Sequence, residues 1–234
     1  MTLATITPGI LNVGSALPDP PFEFAEAGAP TGFDVELMQA VCARLGLTWR
    51  LVPFAGQDFN AIFDGLGSAW DCVASGTTIT AQRQTVADFC EAYVESGQSL
   101  VCNVARTPHI RSVDDLAGMV IAVQSGNTSE PVAERLKADG RVADIRIYAY
   151  HDISRMLDDL EAGVIGAVMK LAPVMHWLTR GRPDLRVVQE RITDEKLAVS
   201  VPRGHDALRR AIDDAQGQLK SSGELDRLIG KWLR

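Results

Sequence analysis

The stretch Ser75-Gly76-Thr77-Thr78-Ile79-Thr80-Ala81-Gln82-Arg83 concentrates residues that can hold an anion. It reads as a loop running into a helix, with Thr80 as N-cap and Ala81, Gln82 and Arg83 as the first turn. A helix N-terminus already carries partial positive charge, so an arginine there is locally unfavourable. The placement makes sense if Arg83 and the free N–H groups converge on an anion. Gly76 lets backbone approach closely, Thr78 adds a hydroxyl, and Arg83 offers a planar fork that fits a carboxylate. An ordinary surface arginine on a capped helix is the other reading, and this segment alone leaves both open.

A second segment has the same grammar. Gln124-Ser125-Gly126-Asn127-Thr128-Ser129-Glu130-Pro131 follows the apolar run Met119–Val123, which reads as a buried parallel strand. Ser129 is a candidate cap, and Pro131 falls near the start of the next helix. Two strand–loop–helix units, each ending in a possible anion site, would enclose a small anionic ligand if they faced each other.

The elements needed to position these loops are legible along the chain. Strand-like segments Ile10–Val13, Thr48–Val52 and Asp71–Ala74 alternate with helical ones, Val35–Leu45, Phe59–Leu66 and Gln82–Asp88. A second set follows: strands at Val120–Val123, Asp144–Tyr148 and Ala167–Met169, helices at Pro131–Ala138, Ile153–Ala162 and Val174–Arg180. Leu197–Pro202 is strand-like, and two helices close the chain. The alternation argues for an α/β class with crossover helices. At 234 residues the chain can form one large domain or two ordinary lobes. A net charge of -7 makes nucleic acid an unfavourable partner. No apolar run approaches the roughly 20 residues of a membrane span. The N-terminal Met1-Thr2-Leu3-Ala4-Thr5 carries neither a basic region nor an apolar signal core.

The blocks Leu11-Asn12-Val13-Gly14, Pro21-Phe22-Glu23-Phe24 and Gly32-Phe33-Asp34-Val35-Glu36-Leu37 precede the Gly76–Arg83 loop. Asp88–Tyr93, Asp115–Gly118 and Gly230-Lys231-Trp232-Leu233 come after it. In this order they resemble the family 3 periplasmic solute-binding proteins of amino-acid ABC transporters, similar to glutamine- and histidine-binding proteins. The resemblance covers almost the whole chain. It implies a two-lobed type II periplasmic-binding-protein fold. Residues 1–92 and 198–234 would form lobe 1 and residues 98–194 lobe 2, with hinge strands at 93–97 and 195–197. It further implies a ligand between lobes that close by hinge bending. Export to the periplasm as a mature form, an ABC-transporter permease as partner, peripheral contact with that membrane complex, and a monomeric state are also implied. No cofactor and no metal are expected. The four histidines are scattered, with no i, i+4 pair.

The resemblance assigns roles residue by residue. Arg83, Thr78 and Gly76 would hold a carboxylate from lobe 1. Asn127 and Thr128 would close on it with backbone N–H groups from lobe 2. Phe59 would lie over the apolar part, a core-packed helix residue being the alternative. Asp19, at a position often aromatic in relatives, could face the cleft or be a solvated loop aspartate. Ala16 replaces a polar residue that helps read ligand side chains. The main departure is Gly166-Ala167-Val168-Met169-Lys170-Leu171-Ala172-Pro173. Relatives carry an Asp two residues before the Pro, where it pairs with the ligand's α-ammonium. Here that position is Leu171, and the Asp usual near the strand start is Gly166.

If Lys170 faced an ammonium about 5 Å away, at an effective dielectric near 20, repulsion would cost roughly 3 kcal/mol. Strand alternation puts Lys170 and Leu171 on opposite faces, and an exposed Lys170 is the competing reading. The departure opens three ligand classes: an organic acid without an amino group, a dicarboxylate using Lys170, or an amino acid whose counter-charge comes from Asp19, Glu23 or Glu91. Two other functions stay open, a sensor or docking module of the same fold and an enzyme resembling cyclohexadienyl dehydratase. The enzyme needs a buried general acid, which the Gly166–Pro173 segment lacks. Cys42, Cys72, Cys90 and Cys102 read as buried thiols or as holding one disulfide.

Overall fold

The computed structural model describes residues 3–233; Met1, Thr2 and Arg234 of the expected first lobe lie outside them. The chain divides into two units. One comprises Met1–Ala55, Asn60–Glu95 and Lys196–Arg234, the other Gly56–Phe59 and Ser96–Glu195. Both are α/β, as the alternation of elements implies.

The first unit opens with β1 (Ile10–Ser15), the hairpin β2 (Phe24–Glu26) and β3 (Ala29–Thr31), then α1 (Phe33–Leu45) and β4 (Thr48–Pro53). Helix α1 buries Phe33, Val35, Leu37, Met38, Val41 and Cys42, a one-sided apolar stripe. Each fully buried large side chain contributes about 1.5–3 kcal/mol. The helix stops at Gly46, whose left-handed backbone (φ 67°) turns its N–H onto the Cys42 carbonyl.

The segment expected to be helical, Phe59–Leu66, is helical over Phe59–Gly65, in the 3-10 form. After β5 (Cys72–Val73) the expected helix Gln82–Asp88 does not form. Only a 3-10 turn forms, Arg83–Thr85, and the chain then extends into β6 (Ala87–Phe89). Tertiary pairing overrides local propensity here, because β6 lies on the sheet edge beside β14 (Ser200–Pro202). The sheet order is β4-β1-β5-β14-β6, with β1 parallel to both β4 and β5.

The chain leaves this unit through β7 (Val94–Ser96). In the second unit it forms β8 (Gln98–Asn103), β9 (Val120–Gln124), α2 (Ser129–Ala138), β10 (Asp144–Tyr148) and α3 (Ile153–Ala162). Then come β11 (Ala167–Leu171), α4 (Ala172–Thr179) and β12 (Leu185–Gln189). The sheet runs β10-β9-β11-β8-β12. Strand β9 is parallel to β10 and β11, and β8 runs antiparallel to its two neighbours. Leu100, Cys102, Ile121, Val123, Ala167 and Met169 form one apolar face, and Ala133 and Leu136 of α2 pack into it.

The return strand β13 (Glu195–Leu197) pairs with β7. The expected single strand Leu197–Pro202 is thus split into β13 and β14. Near the outgoing crossing, Gly97 admits no side chain, since a Cβ would sit 2.0 Å from the Thr193 carbonyl oxygen. Helices α5 (Asp206–Ser221) and α6 (Glu224–Trp232) complete the first unit. Lys231 and Trp232 both reach Glu36 of α1, at 2.5 and 3.1 Å, so those sequence blocks serve the scaffold.

No described helix is long and apolar enough to cross a membrane. All four cysteines are buried free thiols, and burial pushes Cys42 and Cys102 up to about 12.

Candidate functional site

In each unit the candidate residues lie past the carboxyl ends of parallel strands, where open α/β sheets leave a crevice for ligands. In the first unit these ends are those of β1 and β5. Arg83 is buried, at 5% exposure, at the start of the 3-10 turn. Its Nε donates to Asn60 Oδ1 at 3.1 Å and its Nη1 to the Thr78 carbonyl at 3.0 Å. The guanidinium carbon lies 5.6 Å from the Phe63 ring centroid. These acceptors and the aromatic face fix the orientation of the fork. Thr80 caps as expected, its hydroxyl accepting the Arg83 N–H at 3.1 Å. Thr78 is buried and bridges to Leu197.

Gly76 departs from its expected role as an open backbone donor. Its N–H is spent on Asp34 Oδ2 at 2.5 Å. Glycine is needed for the turn itself, with φ +54° and a Cβ position 3.0 Å from the Phe22 ring. Two buried acids hold this loop from below. Glu23 accepts from the Ser75 hydroxyl, which itself accepts the Ala16 N–H. Asp34 also accepts from the Tyr93 hydroxyl at 3.2 Å. Burial pushes the Asp34 carboxyl up to about 7, the Gly76 and Tyr93 donors oppose that rise, and the charge of Asp19 adds to it. Asp19 is buried at 8% exposure and its N–H donates to the Glu23 carbonyl, so it is no solvated loop residue. Glu91, by contrast, is exposed beside α5, its N–H on Asp213.

The second unit's residues sit past β9 and β11. The Asn127 N–H is donated to the Gln124 carbonyl, and that of Gly126 to Glu130. Asn127 is therefore not the backbone donor expected. Thr128 occupies the cap position of α2 but makes no side-chain cap bond; Ser129, the expected cap, has a buried hydroxyl with no hydrogen-bond partner. The Thr128 hydroxyl instead donates to Glu195 Oε2 at 2.8 Å and accepts from Gln98 Nε2 at 2.9 Å.

Lys170 is 3% exposed, which overturns the exposed reading, and its Nζ lies 5.4 Å from the Tyr150 ring centroid. Leu171 is buried and pairs in register with Gln98. Alternation sets Leu171 on the face of β11 that carries Ala167 and Met169, and Lys170 on the other. Phe59 groups with the second unit rather than with residues 1–92. Its N–H meets the Ser125 carbonyl and its ring packs 5.2 Å from Tyr150.

Sequence reasoning missed Glu195 and Gln98. The signal available was weak: an acid in Asp194-Glu195-Lys196, ahead of an apolar run, looks like a solvated turn.

The model of the bacterial extracellular solute-binding proteins, family 3, matches residues 11–234. The chain belongs to that family. It is 29% identical over 228 residues to the L-cystine-binding protein TcyJ of Escherichia coli strain K12, covering 96% of this chain and 83% of that protein. It is 28% identical over 230 residues to the probable amino-acid-binding protein YxeM of Bacillus subtilis strain 168, covering 96% and 84%. Among solved structures, an ancestral arginine-binding protein bound to arginine superposes with a TM-score of 0.87 at 30% identity, over 97% of this chain and 99% of that one. The ancestral amino acid-binding protein AncCDT-1, a precursor of cyclohexadienyl dehydratase, gives a TM-score of 0.85 at 28% identity, over 97% and 96%. The type II fold expected from the sequence blocks is thereby shown.

Proposed function

We propose that this family 3 protein is an extracytoplasmic receptor that captures a small carboxylate, an amino acid or a related organic acid, and delivers it to an ABC-transporter permease. One observation carries the reading: a buried arginine, braced by neutral acceptors at the mouth of a Ser/Gly/Thr loop. A guanidinium fixed in this way has little rotamer entropy left to lose when a carboxylate docks. Arg83 and Thr78 hold the carboxylate. Gly76 shapes the turn rather than donating to the ligand. The protein acts as a monomer outside the cytoplasm and meets the membrane only through its permease.

A dehydratase reading needs a general acid beside the ligand. The buried acid of the second unit, Glu195, accepts from Gln98, Thr128 and Thr193, which suits an acceptor in a binding protein. Ligand released by denaturing purified protein and identified by mass spectrometry tests the proposal. A carboxylate of amino-acid size is expected. A panel of amino and organic acids that neither co-purifies nor raises the melting temperature would sink it.

A further inference from the structure

The first unit holds a cavity of about 130 Å³ lined from α5, α6 and residues 91–93. Its lining shares no residue with the Arg83 loop, residues 75–83. Helix α5 buries Leu208, Ile212, Ala215 and Leu219 along one stripe, and Gln216 falls on that stripe, where the spacing calls for an apolar side chain. Gln216 lines the cavity and is 5% exposed. Its Oε1 and Nε2 are both buried and have no hydrogen-bond partner among the described residues. Either atom buried in this way costs stability, and one side chain carries both. The next residue, Gly217, also lines the cavity, although glycine weakens a helix interior. A Cβ added there would meet nothing within 4 Å, so the glycine leaves open space. The walls are Leu225, Ile229 and Tyr93, whose hydroxyl is committed to Asp34. Glu91, Lys220 and Asp226 are exposed lining residues of both signs.

We propose that this cavity is a binding site, separate from the Arg83 loop, for a small neutral solute carrying a primary amide, and that Gln216 recognises it. The volume equals that of about four waters at roughly 30 Å³ each, so it admits one solute of about four or five heavy atoms. A primary amide presents an N–H donor and a carbonyl acceptor side by side. It therefore closes a reciprocal pair with Gln216, its N–H donating to Oε1 and its carbonyl accepting from Nε2. A carboxylate supplies acceptors only and leaves Oε1 unpaired. An amidinium supplies donors only and leaves Nε2 unpaired. The exposed charges are screened by water and, being of both signs, give little preference for an ion. Leu225, Ile229 and the Tyr93 ring take the alkyl end of the solute.

Backbone-amide NMR titrations of the full chain with acetamide, acetone, acetate and acetamidinium, which share one shape, test the proposal. Acetamide should shift residues 91–93 and 216–229 saturably. Each of the other three should bind at least about tenfold more weakly, since each leaves a buried amide atom of Gln216 unpaired. Gln216→Leu, which completes the apolar stripe of α5, should keep the fold and remove the acetamide response. If that variant does not fold, the probe series on the unmutated protein still decides. No saturable shift at these residues, or four probes binding alike, would mean a cavity that holds water only and would overturn the proposal. An ion that binds more tightly than acetamide overturns it too, as does an acetamide response that survives in folded Gln216→Leu. None of these outcomes bears on the carboxylate reading, which rests on Arg83.

Discussion

In the first unit a cation faces the candidate site and the acids lie beneath the loop that carries it. Arg83 rests on Asn60, the Thr78 carbonyl and Phe63, while Glu23 and Asp34 are occupied by Ser75 and Gly76. In the second unit the order is reversed. The acid Glu195 is tied to Thr128, and the lysine lies on the other face of the strand against Tyr150. The two regions share strand–loop–helix grammar and differ in which sign of charge the sheet offers at its carboxyl edge.

The contrast can be broken first at Arg83. Arg83→Ala should cost about 3 kcal/mol or more in binding, at least two orders of magnitude in Kd, while the fold persists. Calorimetry with the identified ligand measures it, and unchanged affinity in a folded variant would remove the cation from the comparison.

The buried acid below the loop gives the next largest effect, on stability. The carboxyl of Asp34 is raised to about 7, so the folded chain keeps a proton that the unfolded chain releases near pH 4. Stability from this group is complete below about pH 4 and is lost as pH rises through about 7. Relative to Asp34→Asn, which cannot titrate, the unmodified protein should therefore lose a few kcal/mol between pH 4 and 7, at about 1.4 kcal/mol for each pH unit crossed, and no more above that. Parallel urea melts across that range would show it; a difference independent of pH would mean that Asp34 is ionised throughout.

Thr128→Val deletes the hydroxyl that joins Glu195 to the start of α2 and should lower stability in urea melts by about 1–2 kcal/mol. An unchanged midpoint would mean that this hydroxyl does not hold the acid in the folded protein. Lys170→Met should have the smallest effect on binding, under about tenfold, because it leaves Arg83 and its braces in place. A loss matching that of Arg83→Ala would restore the dicarboxylate reading and make the second unit cationic as well.

Much of the scaffold was legible because it is periodic. The apolar stripe of α1, the run from Val120 to Val123 and the pattern of α3 from Ile153 to Ala162 each bury what their spacing predicts. The failures have one cause, which is partners distant in sequence. Thr85 to Phe89 became a turn and an edge strand because β14 was there to pair with. Gly76 and Asn127 looked like free donors until Asp34 and the Gln124 carbonyl took their N–H groups. Arg83 stood out because its anion-binding neighbours are within a few residues. Glu195 did not, because its partners Gln98 and Thr128 are 97 and 67 residues away. Only the alternation within β13, with Glu195 and Leu197 buried and Lys196 exposed, turns that acid inward.

The central claim is that the buried Arg83 of the first unit holds the ligand's carboxylate. Its most direct test is a single calorimetric comparison on the unmutated protein, of the identified ligand against its carboxamide. The change should weaken binding by at least about 30-fold, since it strands a charged, buried group. A carboxamide that binds as tightly as the parent acid would contradict the claim.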